Sequence, residues 1–253
     1  MNRILYKYLD SDGGLKMLEK GNLQFTNSTR LNDPFDCHPS LMDYSNVPSD
    51  NKEAWEREFF RDMAFNRNEQ LRDSVWICSL SKVYNSLLMW SYYGNHQGVC
   101  IGIDMEKAKA YLSEVYCQLM IGAYEWEVQY KDIIEKPDFF HEFMDYLQYQ
   151  VSTKAKEWEH EQEVRLALFN PSPIRTACRL PYKPKRGETI DWKEVRFYPI
   201  IGKECFDSIY LGIRIDKKMK EVIIDAAKRL NSQIKIYQME PDPNAFRVKE
   251  ILI

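Results

Sequence analysis

Apolar residues recur along the chain at every second position, as in strands, or at every third or fourth position, as in helices. Together these patterns predict short strands mixed irregularly with helices. Residues 4–8 alternate as a strand does, and a short helix follows, capped by Ser11 or Asp12 and stopped by Gly21. The same patterns predict strands at 23–26, 75–79, 98–103, 163–169, 194–198, 208–213, 233–239 and 246–252, a hairpin of 115–120 with 124–130, and helices at 86–93, 138–157 and after Asp216. About five helices and ten strands without a regular alternation favour an α+β fold on an antiparallel or mixed sheet.

Aromatic side chains on helical stripes should fill the core. A charged helix is predicted from residue 49 or 50 to about 73, and its apolar stripe includes Trp55 and Phe59. The stripe of the predicted helix 138–157 includes Phe140 and Phe143. We expect all four rings to be buried.

Length and composition indicate one globular unit. The chain has 253 residues, which favours a single domain over 1–253, with the motifs in 1–170 and a strand-helix-strand extension in 171–253. Hydrophobic residues make up 44%, which excludes disordered and low-complexity classes. The chain holds 12 Phe, 16 Tyr and 6 Trp, a load of rings that suits either a core or a binding site.

Charge is distributed unevenly. Residues 1–170 sum to −9 and residues 171–253 to +6, within a net charge of −3 that does not suit a generic nucleic-acid binder. The basic run of Arg175, Arg179, Lys183, Lys185 and Arg186 fits either phosphate contact or a solvated, proline-rich loop. The six cysteines form no C-x-x-C pair, and no signal-like start or long apolar run occurs, so we expect a reduced, cytoplasmic protein without membrane contact.

Several standard sites are missing from the sequence. No glycine-rich dinucleotide or phosphate-binding loop occurs, and His141-Glu142 lacks the second histidine of a zinc protease motif. A zinc site needs two pairs of cysteine or histidine ligands, and their spacing in this sequence offers no second matching pair. No bound metal is therefore expected.

Four short polar segments remain as candidate chemistry. They are the turn-forming Asn32-Asp33-Pro34-Phe35-Asp36, the strand end Ser79-Leu80-Ser81, the aromatic block 89–98 that contains His96, and Lys154-x-x-x-Trp158-x-x-Glu161-x-Glu163-x-Arg165. Three of the four also have a structural interpretation: the first as a capped turn, the third as a packed histidine, and the fourth as an ion pair between Glu163 and Arg165. On an extended chain Glu161 and Glu163 would share one side.

In this order, the segments resemble a bacterial family known as domain of unknown function twenty-nine seventy-one. Its pattern is matched by Tyr6-Lys7-Tyr8, residues 32–36, Cys78-Ser79-Leu80-Ser81, residues 89–98, and residues 154–165. Gly94 stands where alanine is usual. The resemblance implies no activity.

A more distant resemblance is to ADP-ribosyltransferases of the Arg-Ser-Glu type, which implies a split-sheet α+β core and NAD as substrate. It implies that Glu163 stabilises the ribosyl oxocarbenium, that Glu161 acts as general base and that Ser79 positions the ribose or supports Glu163. Lys7, in place of arginine, or Arg30 would hold the pyrophosphate. Further NAD contacts would come from Tyr6, Asn32, Ser81, Trp90, Tyr93 and His96.

Two alternatives stay open beside an NAD-using transferase or glycohydrolase. One is a metal-dependent nuclease that uses Asp33, Asp36, Glu161 and Glu163. The other is a non-catalytic ligand or interaction module, in which Glu161 and Glu163 have internal partners and no open cleft reaches them. The acceptor of a transferase would be a protein or a nucleic acid. If the first interpretation holds, six rings should converge on one cleft: Tyr6, Tyr8, Trp90, Tyr92, Tyr93 and Trp158.

Overall fold

A computed structural model describes residues 3–48, 53–119, 122–141, 146–169, 194 and 196–253. Its α-helices are α1 (Ser11–Lys20), α2 (Ala54–Asp73), α3 (Leu87–Gly94), α4 (Met105–Leu119), α5 (Tyr146–Ser152) and α6 (Lys217–Leu230). Its strands are β1 (Ile4–Leu9), β2 (Thr26–Asn27), β3 (Val75–Ser81), β4 (Val99–Asp104), β5 (Gly122–Glu127), β6 (Gln129–Lys131), β7 (Thr153–Ala155), β8 (Glu163–Phe169), β9 (Phe206–Leu211), β10 (Lys235–Pro241) and β11 (Val248–Leu252). The basic run between Arg175 and Arg186 lies outside the described residues.

A mixed sheet forms the centre of this α+β fold, as the sequence predicts. Its strand order is β11-β10-β9-β4-β1-β3-β8-β5, with β2 added beside β3. The β9–β10 pair is parallel and the other pairs of this sheet are antiparallel. A separate parallel pair joins β6 to β7.

Two well-paired blocks of the sheet meet at a narrow junction. Strand β1 pairs with β4 along its whole length, and β3 pairs with β8 along its whole length. Between β1 and β3 the described register has one pair, Tyr6 with Ser81. The edges of these two strands are therefore largely unpaired with each other, which leaves a split in the middle of the sheet.

Helices α1, α4 and α6 cover one face of the sheet and form the main core with it. Leu18 on α1, Met105 on α4 and Ile223 on α6 are fully buried there against strand residues such as Ile101. Helix α1 is capped by Asp10, one residue before the first of the two predicted caps, and Gly21 ends it in the left-handed conformation with φ of 61°. Cap and stop fix where this helix begins and ends beside β1.

Three predicted elements are wrong. The strand expected at 194–198 is reduced, among its described residues, to one isolated bridge between Phe197 and Phe25. Residues 115–119 belong to helix α4 and not to a strand, because Met105, Ala108 and Leu112 bury one helical face. The predicted helix 138–157 is reduced to α5, and β7 follows it. There the chain extends to pair with β6 and places Lys154 in a buried position.

The prediction that the aromatic stripes of two helices are buried in the core is also largely wrong. Trp55 is 68% exposed and Phe59 is 60% exposed, because α2 buries a different face through Ala64 and Asn68. Phe140 is partly buried in a small aromatic cluster, and Phe143 lies outside the described residues. Across the described ranges, no helix combines the length and apolarity needed to cross a membrane.

Candidate functional site

A buried charge network lies at the start of β8 and consists of Asp36, Lys154, Glu161, Glu163 and Arg165. The Arg165 guanidinium donates to Glu163 Oε1 at 2.9 Å, to Asp36 Oδ1 at 2.6 Å and to the carbonyl of Val151 at 2.7 Å. Arg165 is 0% exposed and Glu163 is 4% exposed. Burial of such charges is tolerated where each has a partner, and here the guanidinium bridges two carboxylates.

Lys154 connects the two glutamates of the network. Its Nζ donates to Glu161 Oε2 at 2.6 Å and lies 3.4 Å from Glu163 Oε2. The ammonium also sits 4.6 Å from the centroid of the Trp158 ring. On the other side, the Tyr93 hydroxyl donates to Glu161 Oε1 at 2.9 Å. Both oxygens of Glu161 are therefore occupied by internal donors.

These contacts shift the pKa values of the network in opposite directions. Burial raises the pKa of Glu163, but the positive charges of Arg165 and Lys154 outweigh burial and hold that pKa well below its usual range. Burial raises the pKa of Asp36, and Arg165 offsets only part of this increase. Burial lowers the pKa of Lys154, but the surrounding carboxylates outweigh it and raise that pKa above its usual value. Glu163 and Lys154 are thus charged at neutral pH.

A turn in the backbone brings Glu161 and Glu163 together, whereas the sequence predicts that they share one side of an extended chain. Glu161 ends a 3₁₀ helix, Lys156–Glu161, and Gln162 adopts the left-handed conformation with φ of 43° before the strand begins. The pair is therefore not on one side of an extended chain. The turn at Gln162 and the shared contact with Lys154 hold both carboxylates in one place.

Strand β3 supports this arrangement from the neighbouring position in the sheet. The Ser79 hydroxyl lies close enough to the Glu163 carboxylate to help lower its pKa. The Ser81 hydroxyl donates to the Glu161 carbonyl at 2.6 Å. From the other side, Tyr130 Oη accepts a hydrogen bond from the Glu163 backbone N–H at 2.8 Å. Ser81 and Tyr130 fix the main chain, whereas Ser79 contacts the carboxylate itself.

Lys7 reaches the site from the opposite side of the split. Its neighbours Tyr6 and Tyr8 share a sheet face with Ser81, so alternation along β1 directs Lys7 to the other face. The Lys7 ammonium nevertheless donates to the Ser79 carbonyl at 2.8 Å. Lys7 thus bridges β1 and β3 where the strands are otherwise unpaired.

Seven of the predicted site residues line one small cavity of about 40 Å³. This volume accommodates a water molecule but not a sugar ring. The seven residues are Tyr6, Lys7, Ser79, Ser81, Tyr93, Glu161 and Glu163.

A much larger basic cleft of about 650 Å³ adjoins this cavity, and Lys7, Tyr8 and Tyr93 line both. Its walls carry four cations, Lys7, Lys16, Lys20 and Arg196, against one carboxylate, Asp10. The sequence patterns did not indicate this cleft, although Lys16 and Lys20 are spaced i, i+4 and so share one face of the predicted helix. Tyr198 adds a half-exposed ring to the wall.

Four residues that the sequence predicts to contact NAD lie away from both cavities. Arg30 is paired with Glu194 on the surface, and Asn32 is exposed in its loop. Trp90 is buried, and its indole N–H donates to the Tyr84 carbonyl at 2.8 Å. His96 has a left-handed backbone with φ of 59°, and its carbonyl accepts the N–H of Arg214 at 2.8 Å. These positions are determined by packing and turn geometry and not by the site.

The six rings predicted to converge fall into separate groups. Tyr8 and Trp90 pack edge to face in a buried cluster at 5.4 Å, and Tyr6 lies 5.3 Å from Tyr84. The Tyr92 and Trp158 rings form a separate pair, with centroids 6.4 Å apart and planes tilted by 57°. Tyr93 lies between, on the wall shared by the cavity and the cleft. The prediction of a single aromatic cleft is wrong, because α3 directs Trp90 into a buried cluster with Tyr6 and Tyr8, whereas Tyr92 is exposed beside Trp158.

The four carboxylates proposed for a metal-dependent nuclease do not form one group. Asp36 and Glu163 both bind Arg165, which places a cation between them. Asp33 points to a different cavity, and in the described part of the chain no cluster of three or more His, Cys, Asp or Glu is arranged to hold a metal ion. The geometry gives the nuclease hypothesis no support.

Comparison with known proteins supports the first resemblance. Residues 89–166 match the model of a family described as protein of unknown function (DUF2971). That range includes most of α3 with Tyr93 and the whole segment from Lys154 to Arg165, whereas Lys7 and Ser79 lie before it. No curated protein and no solved structure matches the chain. The resemblance to ADP-ribosyltransferases therefore rests on the short sequence motifs alone.

Proposed function

We propose that this chain binds NAD at the split between β1 and β3 and breaks its bond between ribose and nicotinamide, as a transferase or a glycohydrolase. The observation that carries the proposal is the convergence of Lys7, Ser79 and Glu163 on three neighbouring strands. These residues are far apart in the sequence, yet they line one cavity beside a basic cleft. Their order along the chain is that of the Arg-Ser-Glu enzymes.

The basic cleft suits the pyrophosphate of the substrate. Its volume of about 650 Å³ lies within the usual range for ligand sites. Lys16, Lys20 and Arg196 form no ion pair among the described residues, so their charges are available to phosphate oxygens. Tyr198 and Tyr93 offer ring faces for the bases.

Glu163 would supply the electrostatic part of the reaction. As the glycosidic C–N bond breaks, nicotinamide leaves with the electron pair and positive charge develops on the ribose. A carboxylate that is ionised and fixed by Arg165 and Ser79 stabilises this charge without reorganising. Water or an acceptor group of a protein or nucleic acid then attacks the ribose carbon and gives its proton to Glu161.

Tyr93 controls access to this carboxylate in the proposal. The cavity at Glu163 is too small for ribose, and the Tyr93 hydroxyl closes it by donating to Glu161. Tyr93 is 37% exposed, and access to Glu163 would require its ring to turn outward. Substrate binding would replace the Tyr93 hydroxyl by a ribose hydroxyl at Glu161.

A non-catalytic ligand-binding module is the second candidate. It is favoured by the internal partners of Glu161 and Glu163, which a structural role requires. In that case the cleft would still bind an anionic nucleotide, but the network would serve only to hold β3 and β8 in place.

One experiment separates the two candidates. Purified protein is incubated with NAD, with and without protein or nucleic-acid acceptors, and nicotinamide release is measured by chromatography beside calorimetric NAD binding. Glu163→Gln should lower release at least about 100-fold and leave binding within about threefold. Glu127→Gln, an exposed carboxylate on β5, is the matched control and should behave as wild type.

The outcomes are distinct. NAD binding without release by the wild type would support the ligand-binding module. Equal release by wild type and Glu163→Gln would exclude Glu163 as the catalytic group. Absence of both binding and release would overturn the proposal.

A further inference from the structure

A second cavity, of about 470 Å³, has Lys154 in its lining and shares no lining residue with the basic cleft. We call it the aromatic pocket and define it by Asp33, Phe35, Ile133, Ile134, Glu157 and Trp158. Phe35 is half-exposed at its rim, and Ile133 is largely exposed. Its volume lies within the range of small-molecule sites.

Asp33 is the unusual group in this pocket. Its side chain is 3% exposed, and its Oδ1 accepts the backbone N–H of Phe35 at 2.9 Å. Its Oδ2 has no hydrogen-bond partner among the described residues. A buried carboxylate oxygen without a donor is costly, so a donor from outside the chain would be strongly favoured.

The charges around the pocket favour a hydrogen-bond donor that is positively charged. Both lysines of the lining are already engaged, Lys131 with Glu135 and Lys154 with the buried charge network. Asp132 is paired with Lys156. Asp33 and Glu157 form no ion pair with any described residue, so the pocket has an excess of negative charge.

From these observations we infer that the aromatic pocket binds a guanidinium group on an apolar stem, as in an arginine side chain. A guanidinium is planar, so it stacks against rings such as Phe35 and Trp158 while it donates to a carboxylate. The isoleucines would contact the stem. This inference does not depend on NAD binding, because none of the six residues that define the pocket lines the basic cleft.

Calorimetric titration with N-acetylarginine amide tests the inference. N-acetylcitrulline amide, which has the same shape without the charge, is the ligand control. Asp33→Asn keeps an oxygen for the Phe35 N–H and should weaken binding of the arginine ligand about tenfold or more. Asp43→Asn is the matched variant, since Asp43 makes the same kind of turn with Ser45 outside the pocket, and its affinity should equal that of wild type.

A second variant protects the test against misfolding. Phe35 is 50% exposed, so Phe35→Ala should fold, as thermal melting would verify, and should weaken binding about threefold or more through lost stacking. The inference is overturned if wild type does not bind the arginine ligand at millimolar concentration. Equal affinity for the citrulline ligand, or unchanged affinity in both Asp33→Asn and Phe35→Ala, would overturn it as well.

Discussion

The buried charge network and the basic cleft share Tyr93 as a boundary, yet their charges are in opposite situations. In the network each cation contacts two carboxylates, and water is nearly excluded. In the cleft, Lys16, Lys20 and Arg196 are exposed and form no ion pair among the described residues. The difference follows from burial, since charges taken out of water need partners and charges left in water do not.

This comparison assigns different tasks to the two regions. The network holds β3, β8 and the loop of Asp36 together and keeps Glu163 ionised in one orientation. The three exposed cations of the cleft lack such partners, so their charges remain available for an anionic ligand. A substrate that reached both would meet loose cations at one end and a rigid carboxylate at the other.

The largest effect is expected from breaking the network. Arg165→Met leaves Asp36 and Glu163 buried without their cation, so the free energy of unfolding should fall by about 4 kcal/mol in urea titrations. Arg229→Met, which removes an exposed ion pair with Asp225 on α6, should change it by less than about 0.5 kcal/mol. A similarly small loss in both variants would show that water reaches the network.

A smaller effect is expected in the pH dependence of stability. The folded-state pKa of Glu163 is lowered, so its contribution is present above its unfolded pKa of 4.5 and is lost as the pH falls through the folded value. Wild type should exceed Glu163→Gln by about 2 kcal/mol at pH 7, and the gap should shrink below about pH 4.5. Urea unfolding from pH 3 to pH 7 measures it, and a gap independent of pH would contradict an ionised Glu163.

The smallest effect on folding is expected in the cleft. Lys16→Ala with Lys20→Ala should weaken NAD binding about tenfold, or 1.4 kcal/mol, because two phosphate contacts are lost. The same variant should unfold within about 0.5 kcal/mol of wild type, since both side chains are exposed. Arg30→Ala is the control, because Arg30 pairs with Glu194 away from the cleft. Equal weakening by the control would show that the cleft does not select the ligand.

Sequence patterns predict the central strands well. They are less reliable for short segments of mixed residues and for which helix faces are buried. The predicted strand 163–169 matches β8, and Asp216 caps α6 as expected. The strand predicted at 115–120 is helical, because a short run of mixed residues does not distinguish the two periods. The stripe of Trp55 and Phe59 is a real helical face, but amphipathicity does not tell whether a partner covers it.

The predicted site shows the same division between local and long-range information. Spacing in the sequence pointed to Ser79, Ser81, Glu161 and Glu163, which do lie together. Arg30 was a candidate because it is a cation near the start of the chain, and it lies elsewhere. The cleft was missed since its cations come from β1, α1 and the segment at Arg196, which no local pattern connects.

By itself, the sequence determines the α+β class, the central strands and the short motifs that carry ionisable groups, because periodicity and turn chemistry are local properties. The tertiary structure decides which charges are paired. Asp36 reaches Arg165, and Tyr93 reaches Glu161, only after the sheet has brought distant segments together. Burial then turns some of these charges into a rigid network and leaves others open to a ligand, because the cost of an unpaired charge depends on its access to water.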